Sequence, residues 1–164
     1  MSVTNDLLKN NESYAANFSD GALPMPPAKN VAIVACMDAR LMVAEFLGIK
    51  NGEAHVIRNA GGIVNDETLR SLVISNKLLG TKEILVINHT DCGMLTFTDH
   101  ELLQKLRDET NGSVDPIPFY SFTDLEKNVA WQVQKVKSHP LLPDDIPVRG
   151  FIYDVKSGKL NEVT

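Results

Sequence analysis

The chain contains two cysteines, Cys36 and Cys92, and His89 stands three residues before the second of them. Two thiolates and an imidazole are a ligand set that zinc takes readily. With three protein ligands, a fourth tetrahedral position stays open for water. Zinc with two thiolates carries no net charge, and water in that position ionises near neutral pH. Asp38 and Arg40 follow Cys36 at alternate positions, which share a side if the backbone stays extended. An aspartate paired with arginine stays ionised and only accepts hydrogen bonds. Asp38 could therefore orient a zinc-bound hydroxide. Released by Arg40, it could instead ligate zinc as a fourth donor and close the site.

These residues need elements that bring them together. Val31 to Ala35 and Ile84 to Ile87 are short continuous apolar runs, read as buried strands. Cys36 directly follows the first run and His89 lies within two residues of the end of the second. Ala54 to Ile57 and Val148 to Tyr153 read as further strands. Helices are expected over 41–47, over 66–79 (capped by Asn65, stopped by Gly80), and from two capping boxes. Thr98 with Glu101 opens one that runs to Glu109. Thr123 with Glu126 opens another that runs to Lys137. Alternating strands and helices predict an α/β fold with a mostly parallel central sheet flanked by helices. Ligands of such sheets bind outside the carboxyl ends of the strands, which is where Cys36 and His89 fall. Arg58-Asn59-Ala60-Gly61-Gly62 follows the second strand on that same edge, and its glycines permit close backbone approach.

The remainder of the chain narrows the reading. A length of 164 residues predicts one domain, 1–164. Residues 3–18 read as a helical N-terminal arm, set apart by the proline-rich stretch Gly21 to Pro27, so 1–28 is expected to pack on a partner subunit. A net charge of -5 without a run of Lys or Arg argues against nucleic acid as a partner. No segment has the length of apolar residues that a membrane span needs, and no signal peptide is evident. A cytoplasmic, reducing setting is the expectation. His55 is expected in packing or at the surface, His100 and His139 at the surface, and Trp131 and Phe122 in the core or an interface.

Plainer readings compete with the metal. Buried free cysteines are commonly packing residues, and most Asp–Arg pairs are structural. Cys36 as a thiol nucleophile is disfavoured, because three residues between it and Arg40 are too few to wrap a phosphate. A closed zinc module, with Asp38 as fourth ligand and no activity, is the non-catalytic alternative.

The segments Cys36-Met37-Asp38-Ala39-Arg40, Arg58-Asn59-Ala60-Gly61 and His89-Thr90-Asp91-Cys92-Gly93 resemble the β-class carbonic anhydrases, over about residues 30–155. The resemblance implies Zn²⁺ as cofactor, Cys36, His89 and Cys92 as its ligands, and Asp38 and Arg40 as the catalytic dyad that gates the metal. It implies reversible hydration of CO₂ to bicarbonate by zinc-bound hydroxide. Relatives with the same zinc pattern hydrolyse carbonyl sulfide or carbon disulfide, releasing sulfide, and this is the alternative activity. A homodimer or dimer of dimers is implied, with N-terminal helices embracing the partner. Two positions depart from the family's pattern. Ile33 stands where some members carry a tryptophan linked to bicarbonate inhibition, and Asn88 stands where the residue before the ligand histidine is often glycine.

Overall fold

β-Branched and aliphatic residues dominate Val31–Cys36 (β1) and Glu83–His89 (β3), and burial on both faces explains their unbroken apolar character. In the computed structural model, which describes residues 2–110, 112 and 117–163, these two strands lie side by side. Ala54–Asn59 (β2) flanks β1, Val148–Tyr153 (β4) flanks β3, and Leu160–Val163 (β5) closes the sheet in the order β2-β1-β3-β4-β5. The first four strands are parallel, and only β5 runs antiparallel, against β4. The mostly parallel α/β fold expected from the sequence is the one observed.

Alternation along β1 divides the core. Ala32 and Val34 face Leu69 and Leu72 of α3 (Asp66–Leu79) and Val136 of α5 (Leu125–Lys137). Ile33 and Ala35 face Leu41, Val43 and Ile87 on the opposite side. Helix α5 lies directly on β4 because residue 150 is glycine. A Cβ there would come within 2.5 Å of Val129 and 2.8 Å of Val133.

The helix ends follow side-chain capping. The Asn65 carboxamide accepts from Thr68 N–H to open α3, and Gly80, with φ of 77°, ends it in the left-handed region. Thr98 and Glu101 form the expected capping box of α4 (Asp99–Glu109). For α5 the cap is Asp124, accepting from Lys127 N–H, one residue after the threonine expected from the sequence. The helix expected over 41–47 is the single turn Val43–Phe46, α2. Trp131 is 57% exposed, so it is not a core residue. Phe122 packs half-buried against the core, His55 donates to or accepts from Ser75, His100 is exposed, and His139 is half-buried.

The N-terminal arm is helical over Val3–Ala16 (α1), as expected, and every residue of it is exposed. No helix among the described residues is long and apolar enough to cross a membrane.

Candidate metal centre

β1 and β3 are neighbours, so their carboxyl ends present Cys36 and His89 side by side. Cys92 joins them through a tight turn that is not helical. Asp91 takes a left-handed φ of 56°, and a 3₁₀ turn starts only at Gly93. One donor atom from each of Cys36, His89 and Cys92 lies within 4.8 Å of the others, and all three residues are buried. The carbonyl of Thr90 sits 2.9 Å from His89 Nδ1, which fixes the proton there and leaves Nε2 as the lone-pair nitrogen. Among the described residues, this Nε2 is the one buried side-chain nitrogen or oxygen without a hydrogen-bond partner. A fully buried acceptor aimed at two thiols is what a metal ligand requires, so the donor set fits zinc.

The two cysteines shift in opposite directions. The Cys92 thiol bonds to Cys36 and, against the opposing effect of burial, lowers the Cys36 pKa. His89 and the backbone N–H groups of Asp38 and Gly61 add to the stabilisation of the Cys36 thiolate. The same bond, with burial, holds the Cys92 proton far above the ordinary thiol range. Burial depresses the His89 pKa, but the adjacent Cys36 sulfur, the Thr90 carbonyl and the Asp38 charge together outweigh it and the net shift is upward.

Asp38 and Arg40 meet, though for a reason different from extended alternation. The chain turns after Asp38, with Leu41 N–H donating to Asp38 O, and the Arg40 side chain folds back over the turn. Arg40 backbone N–H and Nε donate to Asp38 Oδ1 at 2.9 and 3.0 Å, and Nη2 donates to Oδ2 at 2.8 Å. These bonds hold the Asp38 carboxyl well below the usual carboxylate range. Asp38 Oδ2 nevertheless lies 3.8 Å from His89 Nε2, at the edge of the donor cluster.

Two positioning contacts had no signal in local sequence. Asp91 Oδ2 accepts from Arg40 Nη1 at 2.7 Å, so Arg40 is shared by two carboxylates. Arg58 donates from Nε to Cys36 O and from Nη2 to Asp38 O, bracing the loop between them. Its place in the Arg58–Gly62 segment at the correct sheet edge was the available hint. A cavity of about 330 Å³ opens beside the cluster, lined by Met37, Ala60, Gly61, Met94, Thr96 and Phe97 together with Cys36, Asp38, Cys92 and Gly93.

Residues 31–160 match the family model described as carbonic anhydrase. The chain is 52% identical over 164 residues to β-carbonic anhydrase 1 of Mycobacterium tuberculosis, covering all of this chain and 99% of that protein. The chain belongs to the β-carbonic anhydrase family. Carbonic anhydrase from Streptococcus mutans superposes with a TM-score of 0.94 at 44% identity, covering 100% of this chain and 99% of the other. A carbon disulfide hydrolase of Saccharolobus solfataricus is 34% identical, over 94% of this chain and 86% of its own. β-Carbonic anhydrases are zinc enzymes, which agrees with the donor set at the sheet edge.

Proposed function

We infer that this protein is a carbonate dehydratase, a zinc lyase that converts CO₂ and water reversibly to bicarbonate and a proton. The observation that carries the reading is the buried cluster of two cysteines and one partnerless histidine nitrogen at the carboxyl ends of β1 and β3. Greater identity to a β-carbonic anhydrase than to carbon disulfide hydrolases favours CO₂ over the sulfur analogues.

Cys36, His89 and Cys92 are the residues that would hold zinc, and when bound there zinc supplies the Lewis acidity that ionises water near neutral pH. Asp38, kept ionised by Arg40, acts as an acceptor only. It takes the hydrogen bond of the attacking oxygen's O–H and so turns a lone pair toward carbon. Met37, Ala60, Met94 and Phe97 give the cavity apolar walls, which suit a small uncharged linear substrate and disfavour retention of the anionic product. Purified zinc-loaded protein should hydrate CO₂ rapidly at pH about 8, above the ~7 expected for zinc-activated water. Stopped-flow hydration, run beside an assay of sulfide released from carbonyl sulfide, checks this. Fast sulfide release with poor hydration would move the activity to the sulfur substrate.

The same reading takes residues 1–164 as one domain whose arm, 1–28, packs on a partner in a homodimer or dimer of dimers. Val3, Leu7, Leu8 and Tyr14 of α1 are all more than half exposed, and an isolated helix of this length is marginal in water. Covering each of the three aliphatic side chains is worth at most about 1.5–3 kcal/mol. Deleting residues 1–27 should convert the assembly to smaller species in sedimentation velocity. A truncated chain that keeps the full-length mass would remove the arm from the interface. A reducing, cytoplasmic setting is part of the proposal, because both cysteines must stay free to bind metal.

A further inference from the structure

A chain of three side-chain amides runs through the core behind the metal centre. Asn88, 1% exposed, donates from Nδ2 to Gly61 O at 2.7 Å and to Gly62 O at 3.3 Å. Its Oδ1 accepts from Asn128 Nδ2 at 2.8 Å. Asn128 Oδ1 in turn accepts from Gln132 Nε2 at 3.0 Å, and Gln132 Oε1 accepts from Val64 N–H at 2.8 Å. The amide chain begins beside His89, crosses to α5, and returns to the loop after β2. Both of its ends grip that loop, at residues 61–62 and at 64.

The loop it grips touches the centre. Gly61 lines the cavity together with Cys36. Gly62, with φ of 63°, sits so close that a Cβ would lie 2.8 Å from Asn88 Nδ2 and 2.9 Å from Cys36 N. The direction of every bond is fixed from one end. Val64 N–H can only donate, so Gln132 must present its oxygen, Asn128 its oxygen to Gln132, and Asn88 its oxygen to Asn128. Asn88 is then left with N–H groups facing the Gly61 and Gly62 carbonyls. A single orientation satisfies all three amides, which is the condition under which a buried polar network rigidifies its surroundings.

We propose that Asn88, Asn128 and Gln132 form a positioning relay that clamps the 60–64 loop against the carboxyl end of β3, holding Gly62 against the Cys36 backbone and Gly61 in the cavity lining. The relay rests on the reading of Cys36 as a zinc ligand. Partners behind a metal ligand commonly alter affinity or activity about 10–100-fold when removed.

The test is Asn128→Asp, a near-isosteric change at a residue outside the metal and substrate groups. Its carboxylate faces Asn88 Oδ1 with a like oxygen, which drives the Asn88 amide to turn and withdraw its N–H from Gly61 O. Zinc affinity should fall about tenfold in a competition titration, and the thiolate-to-cobalt charge-transfer band of the cobalt(II) form should shift. Gln132→Met, which frees the far end of the relay, should move both readouts in the same direction and serves if Asn128→Asp does not fold. Val136→Ala, a core truncation, is the stability control and should change neither readout. If a folded relay variant keeps wild-type zinc affinity and an unshifted cobalt band, the relay is only structural and the proposal fails. Neither readout needs CO₂ turnover, so failure of the assigned activity would be seen separately.

Discussion

Cys36→Ser or Cys92→Ser should yield a folded protein that loses zinc on dialysis and hydrates CO₂ at least ~1,000-fold more slowly, a loss of about 4 kcal/mol in transition-state stabilisation. The size follows from the donor count. Three protein groups converge on the site, and two of them carry the charge that neutralises a divalent ion. A serine hydroxyl does not ionise near neutral pH, so substitution removes a ligand and half of that charge together. Both cysteines are buried, and placing a hydroxyl there costs about 1–3 kcal/mol. A domain with a typical 5–15 kcal/mol of stability tolerates this. Zinc content by atomic emission, circular dichroism and stopped-flow hydration check the prediction together. A serine variant that keeps one zinc and a full rate would remove that cysteine from the ligand set. In the wild type, zinc uptake must displace the proton that Cys92 holds on the Cys36 thiolate. An indicator dye should therefore record proton release on loading, and affinity should weaken as pH falls.

The parts of this architecture legible in sequence are those with a local pattern. β1 and β3 announced themselves as apolar runs because both of their faces are covered, and two of the three candidate metal donors, Cys36 and His89, sit at the ends of those runs. The edge strand β5 gave no such signal. Leu160–Val163 is short and half-solvated, and its pairing partner Gly150–Tyr153 defines it more than its own composition. The start of α5 was displaced by one residue because Thr123 and Asp124 both suit a cap, and the choice between them is made by the hydrogen bond to Lys127. The Asp38–Arg40 pair was anticipated, but the turn that creates it was not, since a long arginine side chain can reach back across either backbone path. The amide relay was invisible for a stronger reason. Asn88 lies inside an apolar strand, while Asn128 and Gln132 stand one helical turn apart on α5. Only the packed fold shows that they meet. The family resemblance pointed to Asn88 as a departure, and the structure gives that departure a partner.

Asp38→Asn should lower kcat/KM about 100–1,000-fold while zinc stays bound, within the range typical of a positioned acceptor in proton-coupled catalysis. The carboxylate is engaged by three donors of Arg40 and is held ionised well below neutral pH. It therefore offers only acceptor lone pairs to the attacking oxygen. An asparagine keeps the shape but loses the charge that binds Arg40, and half of its terminal atoms become donors, so the O–H of the nucleophile is no longer steered. Arg40→Ala tests the other half of the dyad and should fail differently. It leaves Asp38 charged and unrestrained, with Oδ2 already 3.8 Å from His89 Nε2 at the edge of the donor cluster. The freed carboxylate should then become the fourth ligand and exclude water. The expected result is a zinc-replete enzyme, at least ~100-fold less active, whose cobalt(II) form no longer responds to added anions. Asp38→Asn should keep that anion response, because its site stays open. Normal turnover in Asp38→Asn with zinc bound would remove the aspartate from the chemistry. An anion-responsive Arg40→Ala would show that Arg40 does not keep the site open.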